Sequence, residues 1–138
     1  MPTNYLRTEQ DVSKVFLGDN KYDNESYINN SGYDPIELLA GTVMGRIHAT
    51  GILVPVIKGA NNGAQFPIGI LAADVEIDAG DTISAPICVA GDVDEDKLIF
   101  WDYQIDKNTV VSERRLKDWI QLAGIILRTR TEMTDYDN

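Results

Sequence analysis

The chain has 138 residues, 43% of them apolar, which suits one domain with a buried core. Its 22 acidic residues against 12 basic ones give a net charge of −10, so neither nucleic acid nor an anionic membrane is an expected partner. A single cysteine, Cys88, excludes an intrachain disulfide, and we expect it to be a buried small hydrophobic residue.

Residues 1–35 are predicted to form a polar N-terminal arm, extended or partly disordered. Asn, Asp, Ser and Tyr dominate this stretch, turn formers are dense, and apolar periodicity is weak. The exceptions form a small apolar group of Val12, Val15, Phe16 and Leu17. Large side chains such as these, together with Tyr5, are suited to anchoring a polar arm on a partner.

Residues 36–111 are predicted to form short strands separated by turns, which indicates an all-β unit. Strands are expected within 38–47, 52–57, 66–71, 75–78, 83–90 and 98–103, with a tight reversal at Asn62-Gly63. The segment Asp92–Asp96 is predicted to be an acidic hairpin tip.

A helix is predicted near 113–123, with Ser112 as its N-cap and Gly124 at its end. Leu116, Trp119, Ile120 and Ala123 follow helical spacing and give one apolar face, which is more often core than interface. A final strand is expected at 125–127, before an acidic tail at 128–138. The predicted fold class is therefore mainly β with one short C-terminal helix.

Side chains suited to catalysis are scarce. His48 is the single histidine. It could act in general acid–base catalysis only with a positioned partner. The run from Asp92 begins like a calcium loop, but Lys97 stands where glycine is needed and Tyr103 where the bidentate glutamate is needed. No catalytic residue, metal or cofactor is expected, although paired carboxylates leave a small hydrolase open as an alternative.

Several stretches, taken in order, resemble the lambda-type head decoration (capsid cement) proteins of tailed bacteriophages. They are 41–45 (Gly-Thr-Val-Met-Gly), 62–71 around Phe66-Pro-Ile-Gly-Ile-Leu71, 73–78, 87–93 and Leu98. The resemblance covers residues 36–127. Asn62 stands where the family often has Asp, and the long arm and the tail after Leu127 are additional.

The resemblance implies a compact β-clip-like fold that assembles as a homotrimer at local three-fold sites on the outside of an expanded capsid. Its partners would be the major capsid protein and further copies of itself, on a virion assembled in the host cytoplasm. The arm would order on the capsid by adding a strand. The residues expected to bind the capsid are Tyr5, Val12, Val15, Phe16 and Leu17, and those expected in the core or a trimer contact are Trp101, Leu116, Trp119 and Ile120.

Two readings compete with a capsid-binding trimer. One is a non-catalytic virion or host adaptor module, and the other is the carboxylate-based hydrolase. A mass near three times 15.3 kDa in solution favours the trimer. An enzyme would need a deep pocket with convergent carboxylates.

Overall fold

The computed structural model describes residues 15–28 and 35–129. Within these ranges the chain forms ten strands, one α-helix and a 3₁₀ turn at Glu95–Lys97. The strands are β1 (Lys21–Ile28), β2 (Ile36–Leu38), β3 (Val43–Arg46), β4 (Leu53–Pro55), β5 (Gly69–Leu71), β6 (Val75–Ile77), β7 (Thr82–Asp94), β8 (Val110–Val111), β9 (Arg114–Arg115) and β10 (Ile125–Arg128); the helix is α1 (Leu116–Leu122).

Six strands form the main sheet in the order β1-β4-β3-β5-β7-β10. β1 also pairs with β7, antiparallel from Lys21↔Ala90 to Ile28↔Thr82, and this pairing closes five of the strands into a small barrel. β10 lies outside the barrel and runs parallel to the second half of β7. Two small antiparallel pairs, β2–β6 and β8–β9, complete the described structure.

The central strands β3, β5 and β7 are buried on both faces, because successive side chains of a strand point in opposite directions. One face packs into the first core cluster and the other into the second. The first cluster holds Val15, Val43, Val56, Ile70, Cys88, Val93, Ile105, Leu116, Ile120 and Ile125. The second holds Tyr27, Leu38, Met44, Leu53, Leu71, Ile77, Ala85 and Ile87.

The predicted fold class, mainly β with one short helix near the C-terminus, is confirmed. Strands lie where they were expected within 52–57, 66–71 and 75–78, and β10 covers the predicted last strand. Cys88 is completely buried, as predicted. Across the described residues, every helix is too short or too polar to cross a membrane.

The helix begins later than the sequence indicated. Ser112 and Glu113 have φ values of +48° and +75° and form the two-residue turn between β8 and β9. Two positive φ angles in a two-residue hairpin give the turn the twist that the flanking strands need. The N-cap residue is therefore Arg115, which makes no side-chain capping bond, and the Ser112 prediction was wrong. Gly124, at φ +116°, follows the end of the helix as predicted.

The expected strand at 98–103 does not form. Ile99 makes a single bridge to Thr42, and the chain then enters a turn. The carboxylate of Asp102 accepts hydrogen bonds from the backbone N–H groups of Gln104 and Lys58, at 3.0 and 2.9 Å. These bonds favour a turn over an extended strand, as short acidic side chains commonly do.

Part of the stretch that the sequence assigned to the polar arm lies in the barrel. β1 exposes Lys21 to Asn24 and buries Tyr27, so its side chains lack the alternation that marks a half-buried strand. Its stability comes from backbone pairing along β7, which no side-chain pattern reveals.

Candidate functional site

The segment that leads into β1 is attached to the edge of β7. The backbone N–H of Leu17 donates to the carbonyl of Asp92 at 2.9 Å, and that of Asp94 donates to the carbonyl of Val15, also at 2.9 Å. Phe16 bridges to Val93 between these bonds. Residues 15–17 therefore form the attachment point for whatever precedes them in the chain.

Asn20 fixes this attachment where β7 bends. Its side-chain amide donates to the carbonyl of Asp92 at 3.0 Å and to the Cys88 sulfur at 3.4 Å, while its side-chain oxygen accepts from the N–H of Asp92 at 3.3 Å. The bend itself is at Gly91, whose φ is +125°, and a Cβ there would lie 2.5 Å from the Asn20 Cγ. A side chain at position 91 would therefore strain the backbone and displace Asn20.

The residues expected to bind the capsid have different environments. Val15 is 8% exposed and belongs to the first core cluster, and Phe16 packs on that cluster with its ring 5.7 Å from the Tyr22 ring. Leu17 is half-buried. Tyr5 and Val12 lie outside the described residues.

The residues expected in the core or a trimer contact divide into two groups. Leu116 and Ile120 are fully buried, and Trp119 is half-buried. Trp119 donates its indole N–H to the carbonyl of Val111 at 2.7 Å and packs edge-on against Phe66 at 5.0 Å. Trp101, by contrast, is 54% exposed.

Trp101 belongs to a turn that displays two aromatic rings, which we call the aromatic loop (residues 98–105). Tyr103 is 91% exposed. Asp102, between the two rings, accepts from Gln104 within the loop and ties the loop to Lys58, and these backbone N–H groups hold the pKa of its carboxyl below the ordinary value. Exposed Trp and Tyr side chains on a loop whose backbone is held in place are typical of the central contacts of protein interfaces.

The predicted acidic hairpin tip at Asp92–Asp96 is wrong. Residues 92–94 continue β7 and pair with β10, and Arg128 makes an ion pair with Asp92 at 3.0 Å. Asp94 is fully buried and accepts from the N–H of Asp96 at 3.0 Å, which starts the 3₁₀ turn. The strand passes through position 91 because glycine tolerates the bend there.

The described surface contains an apolar groove and a smaller acidic cavity. The groove has a volume of about 330 Å³, and its described lining holds no carboxylate. The acidic cavity, about 220 Å³, has Glu95, Asp96 and Asp106 around Lys107. Lys107 forms ion pairs with Glu95 and Asp96 at 3.6 and 3.4 Å, and with Asp106 beside them the cavity keeps an excess of carboxylates.

The histidine and the acidic residues do not combine into a metal site in the part of the chain that the structure describes. His48 lies exposed in the turn after β3, with its ring against Gly63, where an added Cβ would be 2.4 Å from the ring Cδ2. Its position is explained by packing over that glycine.

The closed sheet, the attached N-terminal segment and the displayed aromatic rings together define a small β-barrel protein. A comparison with models of protein families matches residues 15–115 to bacteriophage lambda head decoration protein D. The chain belongs to this family, as the resemblance in the sequence implied. No curated protein matches the chain significantly.

Sequence reasoning missed Asn20 and Asp102, which position the N-terminal segment and the aromatic loop. Each acts on a backbone far away in the sequence, across 72 residues for Asn20 and Asp92 and 44 for Asp102 and Lys58. Nothing local in the sequence distinguishes them from other turn-forming Asn and Asp residues.

Proposed function

We propose that this chain binds the outer surface of a tailed-phage capsid, as a homotrimer at local three-fold sites, and stabilises the expanded head. Its partners are then the major capsid protein and further copies of itself, and it catalyses no reaction. It is made in the host cytoplasm and ends on the capsid exterior. The family match over residues 15–115 carries this proposal.

In this proposal the residues before Val15 contact the capsid. They include Tyr5, Leu6 and Val12 among polar neighbours, a composition suited to ordering on a partner as an added strand. Val15, Phe16 and Leu17 then hold the base of the arm on β7, which supports their role as its anchor. Several arms in one trimer gain from effective concentration, because the first to bind holds the others close to their sites.

Trp101 is our candidate for the contact between copies. Its ring is half exposed on a loop whose backbone Asp102 holds in place, so little backbone conformational entropy is lost on binding. Leu116 and Ile120 are buried in the first core cluster, which favours a core role for both.

Deletion of residues 1–14 tests the arm. We expect the shortened protein to keep the far-ultraviolet circular dichroism and unfolding midpoint of the full chain but to lose binding to expanded capsids lacking decoration protein. Co-sedimentation with such capsids measures the binding. Full binding by the shortened protein would contradict the role of the arm.

The length of that deletion matters. Deletion of the whole predicted arm, residues 1–35, would also remove β1 and open the barrel. A matched control keeps the arm and changes polar residues, Thr3→Ala with Thr8→Ala, which should bind capsids like the unchanged protein.

The trimer is tested by light scattering on the purified chain. We expect a mass of three times 15.3 kDa, and a shift towards 15.3 kDa for Trp101→Ala. Leu39→Ala, which removes another exposed side chain, is the control and should leave the mass unchanged. A monomer that binds capsids fully would overturn a trimer formed before binding and leave the capsid contact standing.

A further inference from the structure

The chain between β4 and β5 holds the single Asn-Gly pair of the sequence, Asn62-Gly63. Asparagine is one of the chemically labile residues, and glycine after it leaves the backbone nitrogen unshielded, because glycine has no side chain. Asn62 is exposed and Gly63 is buried. A pair with the chemistry for spontaneous deamidation therefore lies in a surface turn.

Deamidation at this pair begins at the backbone nitrogen of Gly63. The nitrogen loses its proton and attacks the side-chain carbon Cγ of Asn62, so a bond from nitrogen to Cγ forms and the bond from Cγ to Nδ2 breaks. Nδ2 takes up a proton and leaves as ammonia. Water then opens the five-membered succinimide ring, which gives aspartate or an isomer whose backbone runs through the former side chain.

One hydrogen bond in the turn favours this attack. The side-chain oxygen of Asn62 accepts from the backbone N–H of Ala64 at 3.2 Å. A donor on this oxygen makes Cγ more electrophilic and stabilises the negative charge that the oxygen carries during the attack. The electrophile is therefore activated in the folded protein.

A second hydrogen bond opposes the attack. The backbone N–H of Gly63 donates to the side-chain oxygen Oε1 of Gln65 at 2.9 Å. A hydrogen bond made by the protonated form resists loss of the proton, so the nucleophile is held back. We propose that Gln65 protects Asn62-Gly63 from deamidation through this bond. The inference is independent of the capsid contact and of the trimer.

The surroundings of Gly63 explain why protection matters to the fold. A Cβ at position 63 would lie 2.4 Å from the His48 ring and 2.5 Å from the carbonyl oxygen of Arg46, so no room exists for a lengthened backbone. The isomer would displace the end of β3, where Arg46 pairs with Leu53 of β4. Protection of the pair therefore preserves the contact between two strands of the barrel.

Mass spectrometry of the full-length protein at mildly alkaline pH tests the proposal, because fragment spectra locate the mass change at Asn62. The unchanged chain should deamidate rapidly in denaturing urea and slowly when folded. Folded Gln65→Ala should deamidate about tenfold faster than the folded unchanged chain, as expected for the loss of one hydrogen bond. Gln65→Glu keeps an acceptor oxygen and should remain slow. Gln121→Ala, which removes an exposed glutamine on α1, is the matched control and should also remain slow.

Hydrogen exchange of the Gly63 amide tests the same bond without any substitution, because exchange begins with the same loss of the proton. We expect this amide to exchange more slowly than that of Gly59, which is exposed in the same loop and donates to no acceptor in the described part of the chain. Equal exchange of the two amides would overturn the proposal. It would also be overturned if Gln65→Ala, shown to be folded by its urea midpoint, deamidated no faster than the unchanged chain, or if Gln65→Glu deamidated as fast as Gln65→Ala.

Discussion

The side-chain amide of Asn20 holds the chain before β1 in place against β7. Both ends of that amide bond the backbone of Asp92, and the bend at Gly91 leaves room for it. The residue is half-buried, so water can replace these bonds only in part. Losing the side chain would leave polar backbone groups of β7 with fewer partners.

We expect Asn20→Ala to lower the free energy of unfolding by about 1–2 kcal/mol, because two bonds to backbone groups are lost. Urea denaturation measures the change. Asn24→Ala, an exposed substitution on β1, is the control and should change the free energy by less than about 0.5 kcal/mol. Equal effects would mean that the Asn20 contacts contribute nothing.

Asp102 makes the stability of the protein depend on pH in the acidic range. Its carboxyl pKa lies below the ordinary value of 3.8, because the N–H groups of Gln104 and Lys58 donate to the charged form. A pKa lowered by folding contributes stability that is present above the unfolded value and is lost as the pH falls through the folded value.

The stability difference between the unchanged protein and Asp102→Asn should therefore be constant at neutral pH and shrink below a pH of about 4. Thermal unfolding midpoints measured from pH 7 to pH 2.5 check this. A difference that does not change with pH would show that the carboxylate charge is not what fixes the aromatic loop.

At the scale of elements, the sequence located those strands whose own residues show a strand pattern. β4, β6 and β10 combine β-branched or apolar residues with nearby turn formers, and local chemistry was sufficient to find them. β1 was missed because five of the six residues before its buried Tyr27 are exposed. The start of α1 was misplaced because the pairing of β8 with β9 decides the conformation of Ser112.

The candidate site was predicted only in part, for a similar reason. An aromatic residue near 101 and an apolar helix face are visible in the sequence. Whether such residues are exposed depends on what packs over them: Leu116 is buried within the first cluster, while Trp101 lies on a turn that exposes it. The turn depends on a bond between residues 44 positions apart, which no local pattern records.

Leu116 and Ile120 bury one face of α1 in the first core cluster, and Trp119 adds contacts to the β8–β9 pair and to the chain before β5. The Trp119 indole donates to Val111, its ring meets Phe66, and the Arg114 guanidinium lies 5.5 Å from the ring centroid. We expect Trp119→Ala to lower the free energy of unfolding by about 3 kcal/mol, at the low end for a tryptophan because the ring is half-exposed.

Chemical denaturation measures the Trp119→Ala effect. The matched control is Leu122→Ala on the exposed side of the same helix, which is expected to cost less than about 0.5 kcal/mol. A change in oligomeric mass with unaltered stability would instead assign Trp119 to an interface.

At the scale of the whole molecule, Cys88 reports on the intact barrel. It is completely buried on β7, and burial raises the pKa of its thiol, so both access and thiolate formation are suppressed in the folded state.

We expect a thiol reagent at pH 8 to label Cys88 only as fast as the barrel opens, with a rate that rises with urea in step with global unfolding. Protein in denaturing urea should label at once and serves as the control. Rapid labelling of the native protein would indicate local opening between β1 and β7.

β7 is apolar on both sides in its middle, from 85 to 90, where Ile87 faces one cluster and Cys88 the other. If the pairing of such a strand shifted by one residue, apolar side chains would still be buried on both faces. The pattern of apolar and polar residues alone therefore does not fix its register with the neighbouring strands. The glycine bend at 91, filled by the Asn20 amide, provides a fixed reference point. Variants that lose it should refold into a mixture of misaligned, aggregation-prone sheets.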